Sequence, residues 1–301
     1  MATTVLSTRW GRHLTTISRA DLKVRILLII NLFGVYFSDI LLLFQPEGLY
    51  NMSNRLHIQR SPMDAINRQS RTSVHFSINY AIASGWASDK AVNVDFQKAL
   101  LGNGLEFSQT NTTPRSFTLS RTQPSHLQVK LESPAPQVSG IHIVSAPPAY
   151  DLEMFIHEAS AATDAYQQTY RTGQYQVIRC AAKIQHLYSS QAHAFKYLWE
   201  TRLGQSPEDF RCLGPRPVAG GGLRFVMPPH ETAGQEPCSI ELRIESLFRE
   251  PRKLLVETGF VWPKPFLLPQ GEKFDPAGRL TTLEQYATNE VWEFLTQAKD
   301  G

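Results

Sequence analysis

Apolar and polar residues follow two different periods along this chain, and the switches between them mark the predicted elements. From residue 74 to residue 80, apolar and polar residues alternate, which is typical of a strand with one buried face. At 89–101 and 151–170 the apolar positions instead recur every three or four residues, as in amphipathic helices. Between these two helices, short alternating runs predict three strands, at 117–121, 127–132 and 140–145.

A similar succession follows in the second part of the chain. A long alternating run at 174–187 predicts a strand, and the pattern at 190–203 predicts a helix that stops at Gly204. Three further strands are predicted at 223–227, 239–248 and 253–262. The last predicted helix covers 282–297, with Thr281 and Glu284 as its capping box.

The repeated order of elements predicts an internal duplication. Residues 129–133 read VKLES and residues 242–246 read LRIES, so the two runs match in character at every position. We therefore expect an α+β fold of two similar subdomains, 72–172 and 173–297, each with an antiparallel sheet and helices on one face. Coincidence is the alternative, because amphipathic strands resemble one another wherever they occur. A cleft between two such subdomains would be a common place for a ligand.

The most apolar stretch of the chain lies at its start. Residues 26–44 contain one charge, Asp39, and five Lys or Arg residues precede them. About 20 apolar residues span a bilayer, so the pattern predicts an N-terminal transmembrane helix, single-pass, with the N-terminus in the cytoplasm. An organellar transit peptide and a buried core helix are alternatives. Residues 1–51 could also be absent from the mature protein if translation starts at Met52, which predicts a cytoplasmic protein.

Charge is distributed unevenly and limits the classes of partner. Residues 1–80 carry nine Lys or Arg and four Asp or Glu, whereas the rest of the chain carries 21 and 23. The later part thus has no overall positive charge for a phosphate backbone, and no nucleic-acid partner is expected. Residues 52–71 are predicted to be a basic linker, with contact to anionic lipid as the alternative. The 42% hydrophobic content indicates a globular chain with real cores.

Motifs for catalysis and for metal or cofactor binding are weak. The glycines at 220–222 precede a predicted strand rather than a helix, which favours a turn over a phosphate loop. Cys180 alternates within a strand and is predicted to be core. His75, which shares a strand face with Ser77, is the one candidate for an enzyme, as a general base. No catalytic residue, cofactor site or metal site is predicted beyond that candidate.

Charged residues on the predicted strands offer a different kind of site. Lys130, Arg179, Lys183 and Arg243 could form a sheet face that binds a partner, or they could pair with acidic residues across strands. We therefore predict a non-catalytic binding or assembly protein, with a protein partner or self-association, and with membrane contact through residues 26–44. The alternative is a hydrolase or transferase with its site in the cleft between the subdomains.

Overall fold

The computed structural model describes residues 66–84, 89–171, 174–231 and 236–297. The predicted transmembrane helix at 26–44, the late start at Met52 and most of the predicted linker lie outside these ranges. Within them, no helix is both long enough and apolar enough to cross a membrane.

The described chain is mixed α+β, which confirms the predicted class. The strands are β1 (Ile66–Ile82), β2 (Gln109–Thr113), β3 (Ser116–Arg121), β4 (Leu127–Ala135), β5 (Val138–Ser145), β6 (Gln174–Ser190), β7 (Gly222–Met227), β8 (Ser239–Ser246), β9 (Lys253–Trp262) and β10 (Phe266–Pro269). The α-helices are α1 (Lys90–Gly102), α2 (Leu152–Thr169), α3 (Ala194–Lys196), α4 (Pro276–Thr288) and α5 (Glu290–Thr296). A π-helical segment, Tyr197–Arg202, continues α3, and a 3₁₀ helix covers Pro207–Leu213.

One antiparallel sheet holds all ten strands, where the sequence had predicted a sheet in each subdomain. Its order is β2-β3-β4-β5-β1-β6-β9-β8-β7, and β10 pairs with the start of β6. The two 17-residue strands β1 and β6 pair antiparallel at the centre, with Ser77 opposite Lys183 and Asn79 opposite Ala181. The two halves of the chain are therefore joined by backbone hydrogen bonds.

The helices pack on one face of this sheet, because alternate strand residues are apolar. Phe76, Ile78 and Tyr80 of β1 are almost fully buried, and the ring of Phe76 lies 5.5 Å from that of Phe155 in α2. Cys180 is fully buried in the same core, as predicted, and burial raises the pKa of its thiol to about 12. A second apolar cluster joins β8 and β9 to α3 and α5.

Several element boundaries differ from the prediction. The strand β1 begins at Ile66, so residues 66–71 of the predicted linker are strand. The strand β6 continues to Ser190, which leaves only Ala194–Lys196 in α-helical conformation where a helix at 190–203 was predicted. The strands β2 and β10 were not predicted at all.

The predicted C-terminal helix at 282–297 is two helices, and it starts earlier. Asp275 caps α4 by accepting a hydrogen bond from the amide of Gly278, at 2.7 Å. The predicted capping box of Thr281 and Glu284 is therefore wrong, because both residues lie inside α4. Glu284 instead accepts hydrogen bonds from Arg71, at 2.7 Å, and contacts the buried His186, at 3.0 Å.

Candidate functional site

The side of the sheet opposite the helices carries the residues that the sequence singled out. We call it the open face, because each described helix packs against the other side. Strand register fixes its members: Lys130 lies beside His142, which lies beside Asn79 and then Ala181. In the next row, Ser77 lies beside Lys183, and Lys183 lies beside Gly259.

The four predicted cations and His75 all lie on this open face. Arg179 lies opposite Ala81, His75 opposite Gln185, and Arg243 opposite Glu257. From β4 to β8 there are five strand spacings, which places Lys130 and Arg243 about 24 Å apart across the sheet. The structure thus brings the predicted residues to one surface, although not into one compact cluster.

Acidic residues on the open face are paired with neighbouring cations. Glu132 lies 2.8 Å from His142 and also contacts Lys130, while Glu257 lies 3.2 Å from Lys183. Arg243 lies 2.7 Å from Glu245, and Arg224 of β7 lies 2.7 Å from Glu241. The contacts of Glu132 with His142, of Glu257 with Lys183 and of Glu241 with Arg224 are the cross-strand charge pairing that the sequence left open as an alternative, whereas Lys130–Glu132 and Arg243–Glu245 each join two residues of one strand.

The pairing also changes the acidity of two carboxyl groups. The hydrogen bond from His142 outweighs burial and, with Lys130, lowers the pKa of Glu132 to about 2. Burial would raise the pKa of Glu257, but the charge of Lys183 and the hydrogen bond from Gln185 lower it overall. Both carboxylates are therefore ionised at neutral pH.

Arg179 differs from the other open-face cations. Its side chain is exposed, and it forms no ion pair with another residue in the described parts of the chain. A guanidinium in this position can bind a carboxylate with two hydrogen bonds and without first breaking an ion pair to another described residue.

His75 lies near the centre of the open face and bonds to a serine. Its Nε2 atom lies 3.0 Å from the hydroxyl oxygen of Ser77. Burial lowers the pKa of His75 to about 4, and the charge of Lys183 lowers it further than Glu257 raises it. The imidazole is thus neutral at pH 7 and can accept the hydroxyl proton in a hydrogen bond, but its low pKa makes it a weak base.

A third group that would orient His75 is held elsewhere. Glu257, the carboxylate whose charge raises the pKa of His75, is bound by Lys183 and Gln185, and within the described ranges no carboxylate forms an ion pair with His75. His75 also lies outside the cavity beside Gly220 and Gly221 and outside the cavity at the end of α2. This geometry provides a His–Ser hydrogen bond without the rest of a nucleophilic triad.

The glycine run lies beside one of those cavities. Gly220 and Gly221, with Pro217, Glu245, Ser246 and Phe248, line a pocket of about 400 Å³. The amide of Gly221 donates to the hydroxyl of Ser246 at 3.1 Å, and Gly222 begins β7. The run therefore leads into a strand, as predicted, and does not open a helix.

The second cavity, of about 310 Å³, lies at the end of α2. Its lining includes Asp164, Arg171 and Lys273, and Lys273 donates to Asp164 at 2.6 Å. In the described residues, no group of three or more His, Cys, Asp or Glu side chains is arranged to hold a metal ion.

Two buried polar groups were missed by the sequence reasoning. Arg121 forms an ion pair with Glu158, both nearly buried, and the hydroxyl of Tyr150 also donates to Glu158. The sequence did indicate that Arg121 is buried, because it falls on the same alternating face as Phe117 and Leu119. These groups lie among the helices, so they connect elements and do not face the open side.

Comparison with models of known protein families and with curated proteins finds no match to this chain.

Proposed function

We propose that this chain is a non-catalytic binding or assembly protein, and that the open face of its sheet is the binding surface. The observation that carries the proposal is the open face itself. It crosses nine strands, and it presents the four cations that the sequence singled out. A polar surface of this width, with the exposed Arg179 forming no ion pair to any other described residue, suits a protein partner that brings its own carboxylates.

The charges of the open face favour a protein over a nucleic acid. Each glutamate on this face (Glu132, Glu241, Glu245 and Glu257) lies within ion-pair distance of a cation. A phosphate backbone would meet these carboxylates as well as the cations, which weakens its binding. A protein surface of mixed sign can pair with both.

We also propose that the two halves of the sheet arose by duplication. Two observations support this: from the centre outward, the orders are β1-β5-β4-β3 and β6-β9-β8-β7, and a helix follows β5 just as α4 follows β9 and β10. The VKLES and LRIES runs lie in β4 and β8, the third strand from the centre in each half.

The proposed duplication gives the binding surface a particular form. In the matched runs, Lys130 corresponds to Arg243 and Glu132 to Glu245, and each half contains the resulting ion pair. The open face would then present two related charge pairs, one on each side of the central strands β1 and β6. A partner that contacts both would itself carry two similar patches.

A site-specific crosslinking experiment tests the open face. We would place a photo-crosslinking amino acid at Ser77 in the full chain, and for comparison at Met154, which lies exposed on α2. We expect one partner protein to be crosslinked from position 77 and not from position 154. Arg179→Glu and Lys183→Glu should reduce that crosslink several-fold, since each change opposes the partner's carboxylates.

The matched control is Arg115→Glu, which makes the same change of charge in the exposed turn between β2 and β3. If Arg115→Glu reduces the crosslink as much as Arg179→Glu, overall charge is responsible and the open face is not the site. Crosslinking from position 154 alone would also contradict the proposal.

We propose further that residues 26–44 anchor the protein in a membrane, with its N-terminus in the cytoplasm. The support is the apolar run and its basic flank. Extraction of cell membranes with alkaline carbonate should leave the full-length chain in the pellet. A soluble product that begins at Met52 would contradict the anchor.

A further inference from the structure

We propose that the edge strand β7 binds an extended peptide from a partner protein, which adds to the sheet as a further strand with an acidic residue opposite Arg224. This inference goes beyond the open face, because its main contacts are made by the backbone of β7.

The first observation is the position of β7. It is the last strand in the sheet order, and in the described chain it pairs only with β8, from Gly222 opposite Glu245 to Met227 opposite Ile240. One side of its backbone therefore has no strand partner among the described residues. Such an edge is a template for another strand.

The second observation is the contrast between the two edges of the sheet. The strand β2, at the far edge, reads QTNTT and is polar and exposed throughout. The strand β7 reads GLRFVM, and Phe225 and Val226 are 37% and 65% exposed. Natural proteins usually protect edges with charged side chains, Pro or a bulge, and Arg224 is the one charged residue in β7, which contains no Pro.

Apolar surface continues beyond the start of β7. Phe248, in the turn after β8, is 77% exposed and lines the pocket beside Gly220 and Gly221. On the helix side of β7, the ring of Phe225 lies 5.4 Å from that of Phe294 in α5. An added strand would cover Phe225 with one face and could place an apolar end residue near Phe248.

The third observation is a pair of like charges in register. Arg224 of β7 lies directly opposite Arg243 of β8, an arrangement that disfavours the pairing of two strands. Glu241 and Glu245 each neutralise one of the two arginines, at 2.7 Å. Arg224 nevertheless stays 66% exposed and donates to Glu241 through its Nε atom. An added strand that puts Asp or Glu next to Arg224 in the same row would therefore pair with the remaining N–H groups of the guanidinium.

A second copy of this chain does not fit the same edge. No acidic residue lies between Gly222 and Met227, so antiparallel pairing of β7 with itself would put Gly222, Val226 or another arginine opposite Arg224. Six residues also extend only about 20 Å, which is short for the roughly 1,200 Å² that stable protein interfaces bury. A short peptide with the pattern apolar–acidic–apolar supplies an acidic residue opposite Arg224 and matches the length of the edge, about 20 Å.

The test uses two labelled peptides and the full chain. The probe is a fluorescein-labelled peptide, Ser-Gly-Thr-Val-Glu-Val-Thr-Gly-Ser, and its match has Lys in place of Glu. Fluorescence anisotropy gives the affinity of each. We expect the Glu peptide to bind about tenfold more tightly than the Lys peptide. The Glu peptide gains an attractive cross-strand charge pair with Arg224 and the Lys peptide gains a repulsive one, so their binding free energies differ by two such contributions.

Charge exchange makes the test specific to Arg224. The Arg224→Glu variant should prefer the Lys peptide, and Arg224→Gln should bind the two peptides equally. Arg115→Glu, at the opposite edge, should keep the original preference. Equal affinity of the native chain for both peptides, or no binding of either up to about 1 mM, would overturn the proposal.

Hydrogen exchange locates the bound peptide. Amides of Gly222–Met227 should exchange more slowly when the Glu peptide is present, while those of Gln109–Thr113 should not change. Protection of β2 instead of β7 would overturn the proposal. The open-face variant Arg179→Glu should still bind the Glu peptide, so failure at the edge and failure of the open face give different results.

Discussion

His75 shows how the environment of one residue changes its chemistry. Its strand position made it a candidate base, but burial beside Lys183 lowers its pKa to about 4. The shift also affects stability. Between pH 6.5 and pH 4 the unfolded chain binds a proton at His75 that the folded chain does not, so the free energy of unfolding falls as the pH falls through this range.

We predict that His75 accounts for about 2 kcal/mol of the stability lost between pH 7 and pH 5. Urea denaturation of His75→Gln at the two pH values should show a smaller loss than the native chain by about this amount. His157→Gln, on an exposed position of α2, is the matched control and should leave the loss unchanged. If the free energy of unfolding of His75→Gln falls between pH 7 and pH 5 as much as that of the native chain, His75 titrates normally in the folded state.

Elements were predicted well where the apolar period is unbroken. The helix at 151–170 is Leu152–Thr169, and the strand at 253–262 is found with the same bounds. The helix predicted at 190–203 starts late, at Ala194, and continues as a π-helix to Arg202, because β6 keeps pairing with β9 to Ser189, beyond the predicted end of the strand. Pairing between strands distant in sequence overrides local propensity here.

The short strands were missed for a related reason. The strand β2 contains only polar residues, so no apolar alternation marks it, and it forms because its backbone pairs with β3. The open face could be predicted in part, since alternation places Lys130 and Glu132 on one side. The order of the strands and their register could not be predicted, because both depend on the partner strands and not on the pattern of one strand.

The contact between β3 and α2 gives a prediction at the scale of elements. Arg121 of β3 and Glu158 of α2 form a buried ion pair, at 8% and 5% exposure. Removing one partner leaves the other charge buried, so Glu158→Leu or Arg121→Met should each lower the free energy of unfolding by about 3 kcal/mol. The double variant should lose less than either single one, as urea denaturation would show.

An exposed ion pair is the matched control for this experiment. Arg211 lies 3.2 Å from Glu208 in the 3₁₀ helix, and both side chains are exposed. Glu208→Leu should change the free energy of unfolding by less than about 1 kcal/mol. If the double variant of Arg121 and Glu158 is less stable than either single variant, the ion pair stabilises the fold directly. The cost of one buried, unpaired charge is then not the cause of the loss.

At the scale of the whole molecule, the sheet connects what the sequence divided into two subdomains. One buried cluster contains Phe76 and Phe155 from the first half and Phe260, Trp262 and Leu283 from the second. Pairing of β1 with β6 joins the halves over most of the length of two 17-residue strands. A core and a sheet shared in this way favour one cooperative unit over two.

We therefore predict that damage to the core of one half will destabilise the other half equally. Phe155→Ala should cost about 3–5 kcal/mol, since it removes a fully buried ring from α2. Under native conditions, measured by hydrogen exchange, the most protected amides of β9 should then exchange faster by the same factor as those of β5. Leu213→Ala, at a 73% exposed position, is the control and should change the amide exchange rate of neither β5 nor β9. Faster exchange in β5 alone would mean that residues 72–172 unfold independently, as separate subdomains would, despite the continuous sheet.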